Sequence, residues 1–281
     1  MDQPKEDAVS STEPNPAAAW DPTVDLNDLL EAFTLERIDP DCYRANYVVD
    51  DPKPLYGGQV VAQCLIAACR TVDDDRLPHS LHGYFLRGGA AQEPVLLHVS
   101  RDFDGRSFAS RRVVAKQDGK VVFSCTMSFA RQSDGPDHQT AESPGWDVER
   151  LHEFPSGRLQ SMQMRALVPF ELGQRLPRKF AARFTADLGD DPVLHLASLA
   201  YLSDTSSGLA EIQGKDVGYL SSIDHSVWLH QIPDMTQWHL VELEPRCTGA
   251  GRGLFTGGIF DQAGRLIAST AQESLFRYRR Q

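Results

Sequence analysis

The 281-residue sequence predicts an α+β fold made of two similar halves, each an antiparallel sheet wrapped around one central helix. The first observation is an internal repeat. The dipeptide HS at 79 and the dipeptide GR at 105 each recur 146 residues later, and GKVV at 119 is matched by GRLI after 145 residues. The second observation is that each half contains one apolar helical segment followed by four strand-like segments. A repeat of this length indicates a duplicated structural unit.

Two polar segments divide the chain. Residues 1–23 are rich in Ser, Pro, Ala, Asp and Glu, and they cannot bury enough apolar surface to offset the entropy of ordering, so we predict a disordered tail. A short helix is expected from Leu26 to Phe33. Residues 132–160 begin with a Gly-, Pro- and Ser-rich stretch and are interpreted as a linker. The two structural units are therefore predicted at 24–131 and 161–281.

The helices are recognised by their apolar spacing. In the first half, Val61, Leu65, Ala68 and Val72 are four, three and four residues apart, so they share one helix face. The second helix is predicted at 191–204, with an Asp cap and a Pro in its first turn. The strand patterns that follow are LHGYFL, PVLLHVSRDF, SFASRRVVAKQ and KVVFSCTMSFAR, then SSIDHSVWLH, WHLVELEPR, GLFTGGIFDQ and RLIASTAQESLFRY. A helix followed by an antiparallel meander is the hot-dog arrangement, and two of them in one chain form a pseudo-dimer.

Composition disfavours several classes of function. The formal charge of -11 and the pI near 5.2 argue against nucleic-acid binding, which needs a basic face. The five cysteines are scattered without a CxxC pair, which is typical of free thiols in a reducing compartment. No histidine pair has zinc-ligand spacing, and no GxSxG or GxGxxG motif is present, so we expect neither a metal nor a separate cofactor. Without a membrane span or a signal peptide, a cytoplasmic protein is expected.

Polar residues stand where the patterns predict a core. Side chains alternate along a strand, so Leu266, Ala268, Thr270 and Gln272 share one face of the last strand. The first-half residue that matches Gln272 is Met127, which indicates that this face is buried. A buried amide that lacks partners costs about 1–3 kcal/mol, so Gln272 needs a specific reason to be there.

Asp204 raises the same question, because it continues the apolar stripe formed by Val193, Leu196 and Ala200. A carboxylate can act as a general base, and a hydroxyl or amide near it can orient a water molecule. A different interpretation is that Asp204 caps a loop and that Gln272 binds a backbone carbonyl. The residue pattern leaves both interpretations open.

Six motifs are recognisable together: YGGQVVAQ at 56–63, HSLHGYFLR at 79–87, DGRSF at 104–108, AYLSD at 200–204, IDHSVWLH at 223–230 and ASTAQE at 268–273. On these motifs the chain resembles the acyl-CoA thioesterase II family over residues 25–280. The resemblance implies a double hot-dog fold. It also implies hydrolysis of fatty acyl-CoA to fatty acid and coenzyme A, with coenzyme A as part of the substrate rather than a cofactor.

The resemblance also implies catalytic residues. In this family an Asp, a Thr or Ser, and a Gln surround the hydrolytic water, and the matching residues are Asp204, Ser222 and Gln272. Many members have Thr where this chain has Ser222, so the hydroxyl is kept but the methyl that restricts its rotamer is lost. Residues 205–208 are smaller and more polar than expected, which bears on acyl-chain preference.

Further residues are candidate substrate contacts. Gly57 and Gly58 permit close backbone approach, and N–H groups at a helix N-terminus stabilise an oxyanion. His82 is a candidate contact, and His79, three residues earlier in the strand, is expected on the opposite face. We assign His225 to the hydrogen-bonding framework of the sheet. Candidate phosphate contacts are Arg106, Arg111, Arg112 and Arg252.

Two other functions stay open at this point. An acyl-CoA hydratase uses the same fold, but no Asp–His pair of the DxNxxH type opens either helix. A non-catalytic acyl-CoA-binding protein is the other, although retention of all three polar residues disfavours it. Hot-dog domains usually pair their sheets, so by analogy we expect a homodimer or a larger homo-oligomer.

Overall fold

The structure is a computed structural model that describes residues 28–46, 54–154, 161–169, 177–205, 208–209 and 217–278. The predicted tail and the first two residues of the predicted N-terminal helix lie outside the described residues. In chain order the elements are α1 (Asp28–Phe33), β1 (Leu35–Asp39), β2 (Cys42–Ala45), α2 (Gly57–Cys69), β3 (Arg76–Phe85), β4 (Val95–Asp104), β5 (Phe108–Gln117), β6 (Lys120–Arg131), β7 (His152–Phe154), β8 (Met162–Ala166), β9 (Lys179–Phe184), α3 (Pro192–Ser203), β10 (Val217–Ser222), β11 (Asp224–Leu229), β12 (His239–Gly249), β13 (Arg252–Phe260) and β14 (Leu266–Tyr278).

The strands form one 14-stranded antiparallel sheet in the order β1-β2-β4-β5-β6-β3-β11-β14-β13-β12-β9-β8-β7, with β10 paired to β14. The centre of the sheet is the β3–β11 pair, in which Leu81 lies opposite Val227. Outward from this pair, β6-β5-β4 on one side has its counterpart in β14-β13-β12 on the other. The sheet therefore repeats the order of its strands on either side of the centre, as the sequence repeat predicts.

The two long helices pack side by side and run in opposite directions. At one end, the Cα of Gly58 lies so close to the carbonyl oxygen of Tyr201 that a Cβ at Gly58 would clash with it. At the other end, desolvation and then the nearby Asp191 raise the pKa of the Cys69 thiol to about 12. The N-terminus of α2 therefore adjoins the C-terminus of α3. No helix among the described residues is long and apolar enough to cross a membrane.

Both helices are buried on all sides rather than along one stripe. Every residue from Gly58 to Ala68 in α2 and from His195 to Ser203 in α3 is buried. Of the residues predicted to form the stripes, Val72 lies beyond the end of α2, and Val193 is only partly buried.

The segment predicted as a linker contains a strand. β7 pairs with β8, with Phe154 opposite Met164, so the second half of the sheet begins within the predicted linker. The strand was not predicted because the segment is polar in composition and the strand has three residues, of which only Phe154 is buried. Earlier in the same segment, the side chain of Gln139 binds the backbone of the β13–β14 turn at Gly264 and Leu266.

The prediction that His79 and His82 face opposite sides of the sheet is wrong. A β-bulge interrupts the β3–β6 register between Pro78 and Ser80, and a bulge redirects the side chain that it contains. The His79 imidazole hydrogen-bonds to Ser128 Oγ at 2.8 Å, on the outer face that also carries His82. Strict alternation fails here because the bulge inserts one residue into the ladder.

Candidate active site

The inward face of β14 carries an unusual run of polar side chains. Thr270, Gln272 and Ser274 are all buried, and Gln272 is 0% exposed. The alternation predicted from sequence is therefore confirmed for Ala268, Thr270 and Gln272. It is wrong for Leu266, because a register shift between Leu266 and Ala268 puts Leu266 against Phe260 in a separate apolar cluster. The counterpart of Gln272, Met127, is also buried, in the apolar core of the first half.

Gln272 binds two side chains from the neighbouring segment. Its Nε2 donates to the hydroxyl of Ser222 over 2.5 Å, and its Oε1 lies 3.0 Å from Nδ1 of His225. Ser222 is the last residue of β10 and His225 lies near the start of β11. Both strands pair with β14, so the break between them at Ile223 brings the two side chains to one amide.

His225 links this amide to the end of α3. It is fully buried, and its Nε2 lies 2.8 Å from the hydroxyl of Ser203, the last residue of the helix. Burial lowers the pKa of His225 to about 4; the hydrogen bond to Gln272 Oε1 opposes the shift and the nearby His82 adds to it. The imidazole is therefore neutral at pH 7.

Asp204 is the C-cap of α3 and is only 2% exposed. Its Oδ1 lies 4.0 Å from Nδ1 of His225, and because the imidazole is neutral this is not an ion pair. Its Oδ2 lies against Gly57, the first residue of α2, and a Cβ at Gly57 would clash with it. The carboxylate therefore lies at a helix N-terminus, where backbone N–H groups and the helix dipole favour negative charge.

The two glycines that begin α2 have a packing reason as well as the predicted one. Gly57 makes room for the Asp204 carboxylate and the Phe85 ring, and Gly58 makes room for Tyr201 and Tyr56. Any larger residue would push the two helices apart. The two glycines therefore allow α2 to lie close to the end of α3. The sequence predicted this close approach for a ligand.

Three predicted substrate contacts lie away from this cluster. His82 is on the outer face of the sheet, where its ring meets Trp228 edge-on with ring centroids 5.0 Å apart. Arg252 is also directed outward and pairs with Glu273, with 3.0 Å between Nε and Oε1. Arg106 is exposed in the β4–β5 turn. Their assignment as substrate contacts stays a prediction.

The β4–β5 turn lies at the wrong end of α2 for Arg106 to reach Gly57. Arg111, next to this turn, binds the hydroxyl and the carbonyl of Thr71, just beyond the C-terminus of α2. A helix of 13 residues is about 20 Å long. Arg111 is itself 1% exposed and bound to Asp104, and Arg112 pairs with Asp102. Both arginines are therefore part of the first-half framework.

Sequence reasoning missed Ser203 and understated His225. Alternation in β11 puts His225, Val227 and Leu229 on the inner face, which already predicts a buried imidazole. The only signal for Ser203 was its position next to Asp204. Their contact joins the end of α3 to β11 across 22 residues of chain, a separation that no local pattern reports.

The comparisons with known proteins agree with this architecture. The acyl-CoA thioesterase N-terminal domain family matches residues 51–130, and the acyl-CoA thioesterase C-terminal domain family matches residues 133–276. Acyl-CoA thioesterase 2 of Haemophilus influenzae is 31% identical, over 90% of this chain and 98% of its own.

Solved structures give the same result. An acyl-CoA thioesterase II from Mycobacterium marinum is 35% identical and superposes with a TM-score of 0.76, covering 89% of this chain and 98% of its own. A hot-dog protein from Alicyclobacillus acidocaldarius, 19% identical, superposes with a TM-score of 0.73 over 90% of this chain and 98% of its own, which supports the fold alone. The chain belongs to the acyl-CoA thioesterase family and is a thioester hydrolase.

Proposed function

We propose that the enzyme hydrolyses fatty acyl-CoA by direct attack of a water molecule that Asp204, Ser222 and Gln272 hold and activate. The observation that carries the proposal is the buried polar cluster at the junction of the two helices. There the Gln272 amide is 2.5 Å from the Ser222 hydroxyl, and the Asp204 carboxylate lies against Gly57 at the start of α2.

The proposed reaction uses each group for one task. The water oxygen attacks the thioester carbonyl carbon while one water proton passes to Asp204. The carbonyl oxygen becomes an oxyanion, which backbone N–H groups at the N-terminus of α2 stabilise. When the tetrahedral intermediate collapses, the C–S bond breaks and the coenzyme A thiolate takes the proton from Asp204. Ser222 and Gln272 orient the water, which lowers the entropic cost of attack.

The proposed site depends on both halves of the chain. Gly57 belongs to the first predicted unit, 24–131, whereas the three water-holding residues belong to the second, 161–281. We interpret the chain as two tandem hot-dog units, which the repeated strand order and the antiparallel helices support. In this arrangement neither unit alone supplies a complete site.

The test is release of free thiol from a panel of acyl-CoAs, short to long, by the wild type and Asp204→Asn. We expect kcat to fall about 10²- to 10⁴-fold in the variant, as is typical for loss of a general base. Asp191→Asn is the matched control, because this residue caps the far end of α3 through Val193 N and Asn caps as well as Asp. A folded Asp204→Asn enzyme with the activity of the control would contradict the proposal.

A further inference from the structure

The Ser203 hydroxyl has one proton and two acceptors within reach. Its Oγ lies 2.8 Å from the carbonyl oxygen of Ala200 and 2.8 Å from Nε2 of His225. Only one of these can receive the proton. The choice matters because a neutral imidazole carries its proton on one nitrogen only. If Nε2 accepts a proton from Ser203, then Nδ1 is a donor; if Nε2 donates to Ser203, then Nδ1 is an acceptor.

The direction of the Ser203 hydrogen bond determines the direction of every hydrogen bond that follows it, and two arrangements are possible. If Ser203 donates to Nε2, the ring proton is on Nδ1 and donates to Oε1 of Gln272, whose Nε2 then donates to Ser222. If Ser203 donates to Ala200, the ring proton is on Nε2, and Nδ1 needs the amide nitrogen of Gln272. The amide is then turned over, and Ser222 must give its only proton to Gln272.

The position of Asp204 favours the first of these polarities. Its Oδ1 is 4.0 Å from Nδ1 of His225. An ionised carboxylate attracts an N–H dipole at this distance and repels a nitrogen lone pair, and low-dielectric surroundings strengthen both effects. In this polarity Oε1 of Gln272 accepts from the imidazole and Nε2 of Gln272 donates to Ser222.

We propose that His225 is a positioning residue that Ser203 and Asp204 hold in the Nδ1–H tautomer, so that Gln272 donates to Ser222. In this polarity the Ser222 hydroxyl keeps its own proton for another acceptor, and the attacking water is one. The inference rests on the proposed function for its catalytic meaning, but the tautomer is a property of the folded protein alone. The low pKa of the buried imidazole agrees with it, because the ring stays neutral and the tautomer is defined at pH 7.

Two substitutions of His225 test the roles of its two ring nitrogens separately. The side-chain amide of Asn places its nitrogen near Nδ1, whereas the longer side chain of Gln places its nitrogen near Nε2 and reaches Ser203 instead. We expect His225→Gln to lose about 10²-fold in kcat at unchanged KM, as expected when a catalytic group is misplaced by about 1 Å. His225→Asn should keep most of kcat. Equal values of kcat in the two folded variants would overturn the proposal.

A second measurement does not depend on activity. In wild-type protein with 15N-labelled histidine, NMR couplings between ring nitrogens and ring protons report the tautomer of each imidazole. We expect the Nδ1–H form for His225, with some Nε2–H form appearing in Asp204→Asn. An Nε2–H wild type would overturn the inference even if the enzyme is active. A wild type that releases no thiol would instead overturn the proposed function, and the NMR result would still decide the tautomer.

Discussion

The two halves of the molecule place different chemistry at matching positions. Met127 and Gln272 occupy the same inward position on β6 and β14, yet Met127 packs in an apolar core while Gln272 binds Ser222 and His225. His79 and His225 match in sequence but not in position. The register shifts by one residue at His79 in β3 and in the same way at Ile223 between β10 and β11, so the positional counterpart of His225 is Leu81. The first half therefore pairs Leu81 with Met127, where the second half brings His225 to Gln272.

The C-terminal ends of α2 and α3 also differ between the two halves. Beyond α2, Thr71 is bound to the buried Arg111, which also binds Asp104, so this end is closed by a network within the first half. The other helix, α3, ends in Ser203 and Asp204, which face polar side chains and the start of α2. In the proposed mechanism the reactive groups therefore all come from the second half.

The largest expected effect comes from exchanging the residues of the matched pair. Gln272→Met gives the second half the residue of the first and removes the amide between Ser222 and His225. We expect kcat to fall about 10²- to 10³-fold, as when one preorganised donor is lost. The reciprocal Met127→Gln should keep kcat but lower the free energy of unfolding by about 1–3 kcal/mol, because it buries an amide among apolar groups. Steady-state kinetics and urea denaturation measure both, and equal kcat in the two variants would refute this reading of the halves.

The next effect is on stability and belongs to the first half. Arg111→Met leaves the hydroxyl of Thr71 and several carbonyl oxygens without their donor, so we expect about 3 kcal/mol lower stability in urea denaturation. Arg112→Met is the matched control, because Arg112 is exposed and paired only across the surface to Asp102, and it should change little. Similar midpoints for the two variants would show that the buried network contributes no stability.

The smallest effect is a pH dependence that distinguishes the two histidines. Burial lowers the pKa of His225 from 6.5 to about 4. Between these values the unfolded chain binds a proton that the folded protein does not, so stability falls as pH falls from 6.5 to 4, and no such contribution exists above 6.5. The loss should be about 2 kcal/mol between pH 6.5 and pH 5.

His225→Asn should remove this part of the pH dependence. His79→Asn should remove less, because burial also lowers the pKa of His79 but that ring is only partly buried. Urea denaturation of the three proteins at pH 7 and pH 5 measures the difference. Unchanged slopes in His225→Asn would mean that the imidazole is protonated inside the folded protein.

The sequence by itself determined the features that depend on local periodicity. Alternation along β14 was enough to predict that Gln272 lies inside, because the strand period fixes which face a side chain takes. Asp204 is buried as predicted, but α3 is buried on all sides, so its spacing does not explain this burial. The repeat predicted that the two halves share one strand pattern, but the predicted meander is wrong in one respect, because β3 pairs with β6 rather than with β4. The identity of the three catalytic candidates came from the family resemblance rather than from these patterns.

Only the tertiary structure decided which polar groups meet. Ser203, Ser222, His225 and Gln272 come from four elements, and their contacts depend on the register of β10 and β11 against β14. The bulge that turns His79 outward and the position of Arg106 at the far end of α2 depend on the same long-range pairing. Register is set by packing between segments far apart in the chain, so no pattern within one segment specifies it.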